Sequence, residues 1–165
     1  METVTSNLIP RLTPLLGEWT GEGTAQFPTI DTTGYTEEMV FIKDDYKDVI
    51  HYEQKVLHKT GDERDGKLLH WEAGYILFKE GKLFLINSQS NGRVEVMEGE
   101  VNVNGNELIA EFRSTLYGND SKMISSSRRY TLKDDMLEYT LDMATSTAEN
   151  PGNHLKCTLR RVFPK

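Results

Sequence analysis

Cysteine is all but missing from this chain: Cys157 is the only one in 165 residues. No intramolecular disulfide can form, which suits a reducing compartment, and the Pro-Cys-x-x-Cys of a zinc deaminase cannot be assembled. No run of 18 apolar residues occurs, and the N-terminus lacks a basic segment followed by an apolar one. Neither a membrane-spanning helix nor a secretory signal is predicted, and a cytoplasmic location is expected. Positive charge is also in short supply, with 19 Lys and Arg against 26 Asp and Glu and a net charge of −7. That balance opposes binding to nucleic acid or to an anionic membrane, so an anionic ligand would need local rather than global attraction. The serines at 125–127 are not framed by Gly-x-Ser-x-Gly, and no internal repeat or low-complexity tract is present.

What remains is strand. Beyond an N-terminal stretch in which Pro10 and Pro14 limit helix to a short segment, apolar and polar residues alternate, and turn residues recur about every ten positions. Leu137, Tyr139, Leu141 and Met143 alternate with Glu138, Thr140 and Asp142, and Val94 and Val96 alternate with Glu95. Met97 and Gly99 break that phase, which predicts a bulge. Turns at 80–82, 91–92, 104–106 and 134–135 suit hairpins, and 61–67 reads as a charged hairpin loop. The spacing predicts ten strands, near 18–26, 35–42, 47–57, 68–79, 82–89, 93–103, 106–116, 122–132, 136–145 and 154–162. Ten strands with tight turns leave two raw edges unless they close, so the expected fold is all-β, a ten-stranded antiparallel up-and-down β-barrel with a short N-terminal helical segment. A barrel of this size leaves a cavity. The chain is read as one domain, 1–165, burying roughly 70% of its unfolded surface.

Glycines at 17, 21 and 23 around Trp19 describe a first strand that curves tightly beneath an indole, and Arg160 and Arg161 near the end of the chain offer a guanidinium to stack on it. His70 and Glu72 share one strand face: His70 is expected to line the cavity and Glu72 to form a structural hydrogen bond or ion pair. Arg128 and Arg129 are consecutive in a strand, so one points in and the other out. An inward arginine could neutralise a ligand carboxylate, whereas a surface ion pair is the ordinary use of such a residue. His51 and His58 are assigned to solvated or packing roles. Thr29 either caps a turn or donates a hydrogen bond at the barrel mouth. His154, after Pro151-Gly152-Asn153, stands where a loop is expected to enter the last strand, and a lone histidine in such a place is ordinarily solvent-facing.

Five segments, Gly17-Glu18-Trp19-Thr20-Gly21-Glu22-Gly23, Phe27-Pro28-Thr29-Ile30, Leu69-His70-Trp71-Glu72-Ala73-Gly74-Tyr75, Gln89-Ser90-Asn91-Gly92-Arg93-Val94-Glu95-Val96 and His154-Leu155-Lys156-Cys157-Thr158-Leu159, resemble in this order the nitrobindins. These are haem-binding ten-stranded barrels of the calycin kind, related in architecture to fatty-acid-binding proteins. The resemblance implies a haem b cofactor with His154 as the proximal axial ligand of its iron, and a pocket that includes Thr29, His70, Gln89 and Met143. Leu69 departs from the methionine often found there and keeps the wall apolar. The implied function is nitric oxide binding and isomerisation of peroxynitrite to nitrate on ferric haem, with no catalytic residue beyond the iron. A distal side of leucine and aromatic residues, without a strong hydrogen-bond donor near the metal, is expected to favour nitric oxide over dioxygen. Partners are then small molecules only, and the number of copies is left open, a homodimer included. The alternative is a non-enzymatic carrier of fatty acid, in which Arg128 or Arg129 meets the carboxylate and His154 is incidental.

Overall fold

The computed structural model describes residues 6–27 and 30–163. A 3-10 helix, Ile9–Leu15, precedes ten strands: β1 (Gly17–Phe27), β2 (Ile30–Lys43), β3 (Val49–His58), β4 (Leu68–Lys79), β5 (Lys82–Gln89), β6 (Val94–Asn104), β7 (Glu107–Gly118), β8 (Met123–Lys133), β9 (Met136–Thr145) and β10 (Ala148–Arg161). Each strand pairs antiparallel with the next, and β1 pairs with β10, so the ten described strands close into a barrel. The expected architecture is the observed one, and most strand boundaries fall within two residues of their predicted positions.

Two strands depart further. β2 begins at Ile30 rather than 35, because β1 and β2 stay paired up to Phe27 and Ile30. β10 begins at Ala148 rather than 154, so Pro151-Gly152-Asn153 lies inside a strand and not in a loop. Register shifts against β9 occur between Ala148 and Gly152 and between Asn153 and Leu155. Bulging absorbs a proline and a glycine that a regular central strand would reject.

Closure rests on the contact anticipated around Trp19. Trp19 and Arg161 are register partners across the β1–β10 seam, and the guanidinium carbon stands 4.2 Å from the indole centroid. The indole Nε1 donates to Leu15 O at 2.8 Å, and Arg161 donates to Leu16 O at 2.6 Å and to Pro14 O at 2.8 Å. These bonds satisfy carbonyls that the helix end would leave unpaired. They also hold Ile9, Leu12 and Leu15, all fully buried, as a plug in the base of the barrel. Above the plug lies an aromatic layer of Phe41, Tyr52, Phe112, Tyr130 and Tyr139, with ring centroids 5.1 to 6.2 Å apart. The opposite end, where the turns after β3, β5, β7 and β9 gather, is the mouth.

Gly21 makes the tight seam possible: a Cβ there would stand 2.0 Å from Thr158 O and 2.7 Å from Leu159 Cα. Backbone cannot retreat as a flexible side chain can. Gly21→Ala is therefore expected to destabilise the barrel by about 3 kcal/mol or more, read as a lower midpoint in denaturant unfolding; an unchanged midpoint would show that the seam is looser than its geometry implies.

Candidate functional site

The layer above the aromatics is charged. Arg128 on β8 is 2% exposed and points inward, while Arg129 points outward to Glu111 at 2.6 Å. Arg128 Nη1 donates to Glu72 Oε1 and its Nη2 to Glu72 Oε2 at 3.0 Å, while Glu95 Oε2 lies 3.3 Å from the same Nη2. Tyr52 donates its hydroxyl to Glu72 Oε1 at 2.9 Å, and His70 Nε2 lies 2.9 Å from Glu72 Oε2. Glu72 thus holds the structural ion pair expected of it. Burial opposes its ionisation, but the Arg128 guanidinium and the hydrogen bonds from His70 and Arg128 prevail and hold it well below the usual carboxylate range.

A cavity of about 210 Å³ opens above this floor, lined by Val56, Leu69, Leu141, Met143 and Leu155 on its apolar side. Its polar side carries His70, Gln89, Arg93 and the floor carboxylates. Of the residues singled out from the sequence, His70, Gln89 and Met143 meet here. Thr29 lies outside the described residues. His154 does not itself line the cavity, although its neighbour Leu155 does.

His154 is 4% exposed, so it does not face solvent as a histidine at a loop-to-strand junction ordinarily would. The cause is the second β10 bulge: Asn153 pairs with Asp142 and Leu155 with Leu141, leaving His154 as the extra residue. Two consecutive side chains, His154 and Leu155, are buried as a result. Asn153 pins the bulge by donating to Asp142 Oδ1 at 3.0 Å and to Leu155 O at 3.1 Å. His154 Nδ1 lies 2.7 Å from Gly152 O, and in a neutral ring that donates this bond the lone pair is on Nε2. Among the described residues no group of three His, Cys, Asp or Glu side chains is arranged to hold a metal ion.

The cavity wall corrects the expected distal side. Its apolar residues are aliphatic, the aromatics lie below the charged floor, and His70, Gln89 and Arg93 bring hydrogen-bond donors to the wall. Preference for nitric oxide over dioxygen therefore does not follow from this wall. The alternation expected in β6 is present, and the structure supplies its phase: Val94 is 41% exposed, whereas Glu95 and, just before the strand, Arg93 are buried. Strict alternation fixes which residues share a face but not which face is inner. His51 packs edge-on against Tyr75, the second of the two roles, solvated or packing, left open for it.

Residues 9–161 match the family described as "THAP4-like, heme-binding beta-barrel domain". The chain belongs to the nitrobindin family. An Arabidopsis thaliana protein named peroxynitrite isomerase Rv2717c is 38% identical over 92% of this chain and 87% of its own length. A Nocardia farcinica protein named peroxynitrite isomerase is 33% identical over 93% of this chain and 90% of its own. The crystal structure of Rv2717c from M. tuberculosis superposes with a TM-score of 0.83 at 28% identity, covering 94% of this chain and 97% of that one. No described helix of this nitrobindin barrel is long and apolar enough to cross a membrane.

A third buried carboxylate, Glu37, accepts a 2.6 Å hydrogen bond from Gln54. Burial, with the nearby negative charge of Glu72, pushes its carboxyl from about 4.5 up to about 8. The folded protein therefore binds a proton at neutral pH that the unfolded chain has released. Stability from this group is fully present below about 4.5 and falls as pH rises to about 8. Glu37→Gln, which cannot ionise, is expected to flatten that decline and to be the more stable protein at pH 8, by a few kcal/mol; denaturant unfolding at pH 5 and pH 8 checks it, and parallel pH dependences would refute it.

Proposed function

We propose that the cavity and its mouth hold haem b with His154 Nε2 as the axial ligand of the iron, and that the protein binds nitric oxide and isomerises peroxynitrite to nitrate. The carrying observation is the bulged, buried His154 with Nδ1 set against Gly152 O. A second-ring hydrogen bond of this kind is how haem-ligating and metal-ligating imidazoles are oriented. The names of the relatives from Arabidopsis and Nocardia support the activity. A non-covalent b-type haem is favoured because Cys157 is the only cysteine, which excludes a Cys-x-x-Cys-His attachment. A lone thiol also suits the reducing cytoplasm.

The residues present fit such a group in kind. Val56, Leu69, Leu141, Met143 and Leu155 supply a dry wall, and each square ångström of macrocycle buried there contributes ~25 cal/mol. A volume of about 210 Å³ is below the roughly 300–1,000 Å³ usual for drug-sized ligands, so part of a tetrapyrrole has to lie out in the mouth. Thr29 belongs to the proposal through the family likeness alone.

When bound, haem iron supplies the site at which nitric oxide binds and peroxynitrite rearranges. The chain's own contribution is to hold and orient that group through His154, to exclude water with the aliphatic wall, and to keep His70 fixed. Glu72, held ionised by Arg128, keeps the His70 proton on Nε2 and so fixes its tautomer. The carrier reading loses the partner it relied on: Arg128 is matched by Glu72 and Glu95, and Arg129 is on the outer surface.

Hemin added to the apoprotein is expected to give a sharp Soret band that His154→Ala abolishes or broadens, while displacement of a fluorescent fatty acid is weak. An unchanged band in His154→Ala, together with tight fatty-acid binding, would overturn the reading in favour of a carrier.

A further inference from the structure

Arg93 immediately precedes β6, at the end of the Asn91-Gly92 turn, where its amide donates to Asn91 Oδ1 at 3.0 Å. Its side chain lines the cavity and is only 8% exposed. Buried guanidinium groups are matched by carboxylates, because an unpaired charge out of water is costly. Arg128, on the cavity floor, has two such partners. Arg93 is matched differently. Its Nε donates to Gln89 Oε1, a neutral amide, at 2.9 Å, and its Nη1 is turned onto the thioether sulfurs of Met123 and Met143, which are weak acceptors. Among the described residues, the one carboxylate within 4 Å is that of Asp120, at 3.8 Å, beyond hydrogen-bond length. A planar fork of donors resting on sulfur at the wall of a ligand cavity is suited to a planar oxyanion. The chain's charge of −7 repels such a group elsewhere, which makes a local cation the more necessary.

We propose that Arg93 receives the oxyanion of the ligand that fills this cavity, either a carboxylate on the rim of the tetrapyrrole or a small nitrogen oxyanion. The identity of the ligand rests on the haem reading above; the anion site does not. On binding, the guanidinium exchanges its contacts with sulfur for charge-assisted hydrogen bonds to oxygen, and Asp120 is the competitor it leaves behind.

Three probes test this: hemin, hemin dimethyl ester, which has the same ring without free carboxylates, and nitrite added to apoprotein and followed by amide chemical shifts. If a rim carboxylate is the ligand group, Arg93→Gln loses roughly tenfold in affinity for hemin and nothing for the diester. Asp120→Asn, which removes the competing carboxylate from a half-solvated site, then gains affinity for hemin alone. If the small oxyanion is the ligand, Arg93→Gln keeps hemin affinity and loses the nitrite shifts, while Arg93→Lys retains part of them. Equal affinities of wild type and Arg93→Gln for all three probes, or equal losses for hemin and its diester, overturn the proposal. Should Arg93→Gln fail to fold, Asp120→Asn decides alone, because an unchanged affinity for both hemin and nitrite refutes it. Wild-type protein that binds nitrite through Arg93 but takes up no hemin would sink the haem reading and leave the anion site standing.

Discussion

The ion triad of Arg128 with Glu72 and Glu95 crosses the barrel interior from β8 to β4 and β6, and the layout of everything above and below it follows from that crossing. Taking three charges out of water costs several kcal/mol each, which their mutual attraction and the surrounding hydrogen bonds offset, with Arg128 Nε left without a partner among the described residues. Tyr52, His70, Asn87, Gln89 and Ser126 supply such bonds around the two carboxylates. A polar layer of this kind cannot be overrun by apolar side chains from above without leaving charges unpaired. The barrel therefore stays hollow above the triad while the part below is packed.

Below the triad, order is set by packing and closure. The aromatic layer fills the bore, the 3-10 helix seals its base, and Arg161 fastens the seal by joining the last strand to the indole of the first and to two carbonyls at the helix end. Above the triad, order is set by polar relay. The floor carboxylate Glu95 is within 3.5 Å of Gln89, and Gln89 in turn holds Arg93 at the wall. One continuous seam of hydrogen bonds thus runs from the structural core to the place where a ligand would arrive. The cavity's chemistry is an extension of the fold's own polar layer rather than a graft upon it.

Much of this was legible in the sequence because two signals are strongly constrained. Alternation and turn residues gave ten strands, and an open sheet of ten would carry two unprotected edges. Glycines around Trp19 with an arginine near the C-terminus marked the seam. His70, Gln89 and Met143 were placed in a pocket through family likeness, and they do line one. Glu95 was not legible as an inward residue, because Val94 and Val96 flank it with the look of a buried face, and only its pairing with Arg128 reverses the phase. Pro151-Gly152 read as a loop because sequence carries no sign that a bulge will accommodate both within β10. That bulge, and not a turn, is what buries His154. The distinct state of Arg93 depends on which neutral atoms surround it in space, which no spacing in the chain encodes.

Function depends on the placement of a ligand above the Arg128 floor and beside β10. A crystal structure of the protein loaded with hemin tests that most directly. Density for the macrocycle is expected against Leu141, Met143 and Leu155, with iron bonded to His154 Nε2 and the triad undisturbed. Iron bonded to another side chain, or a ring seated on the outer surface with the cavity still closed beneath it, would contradict this placement.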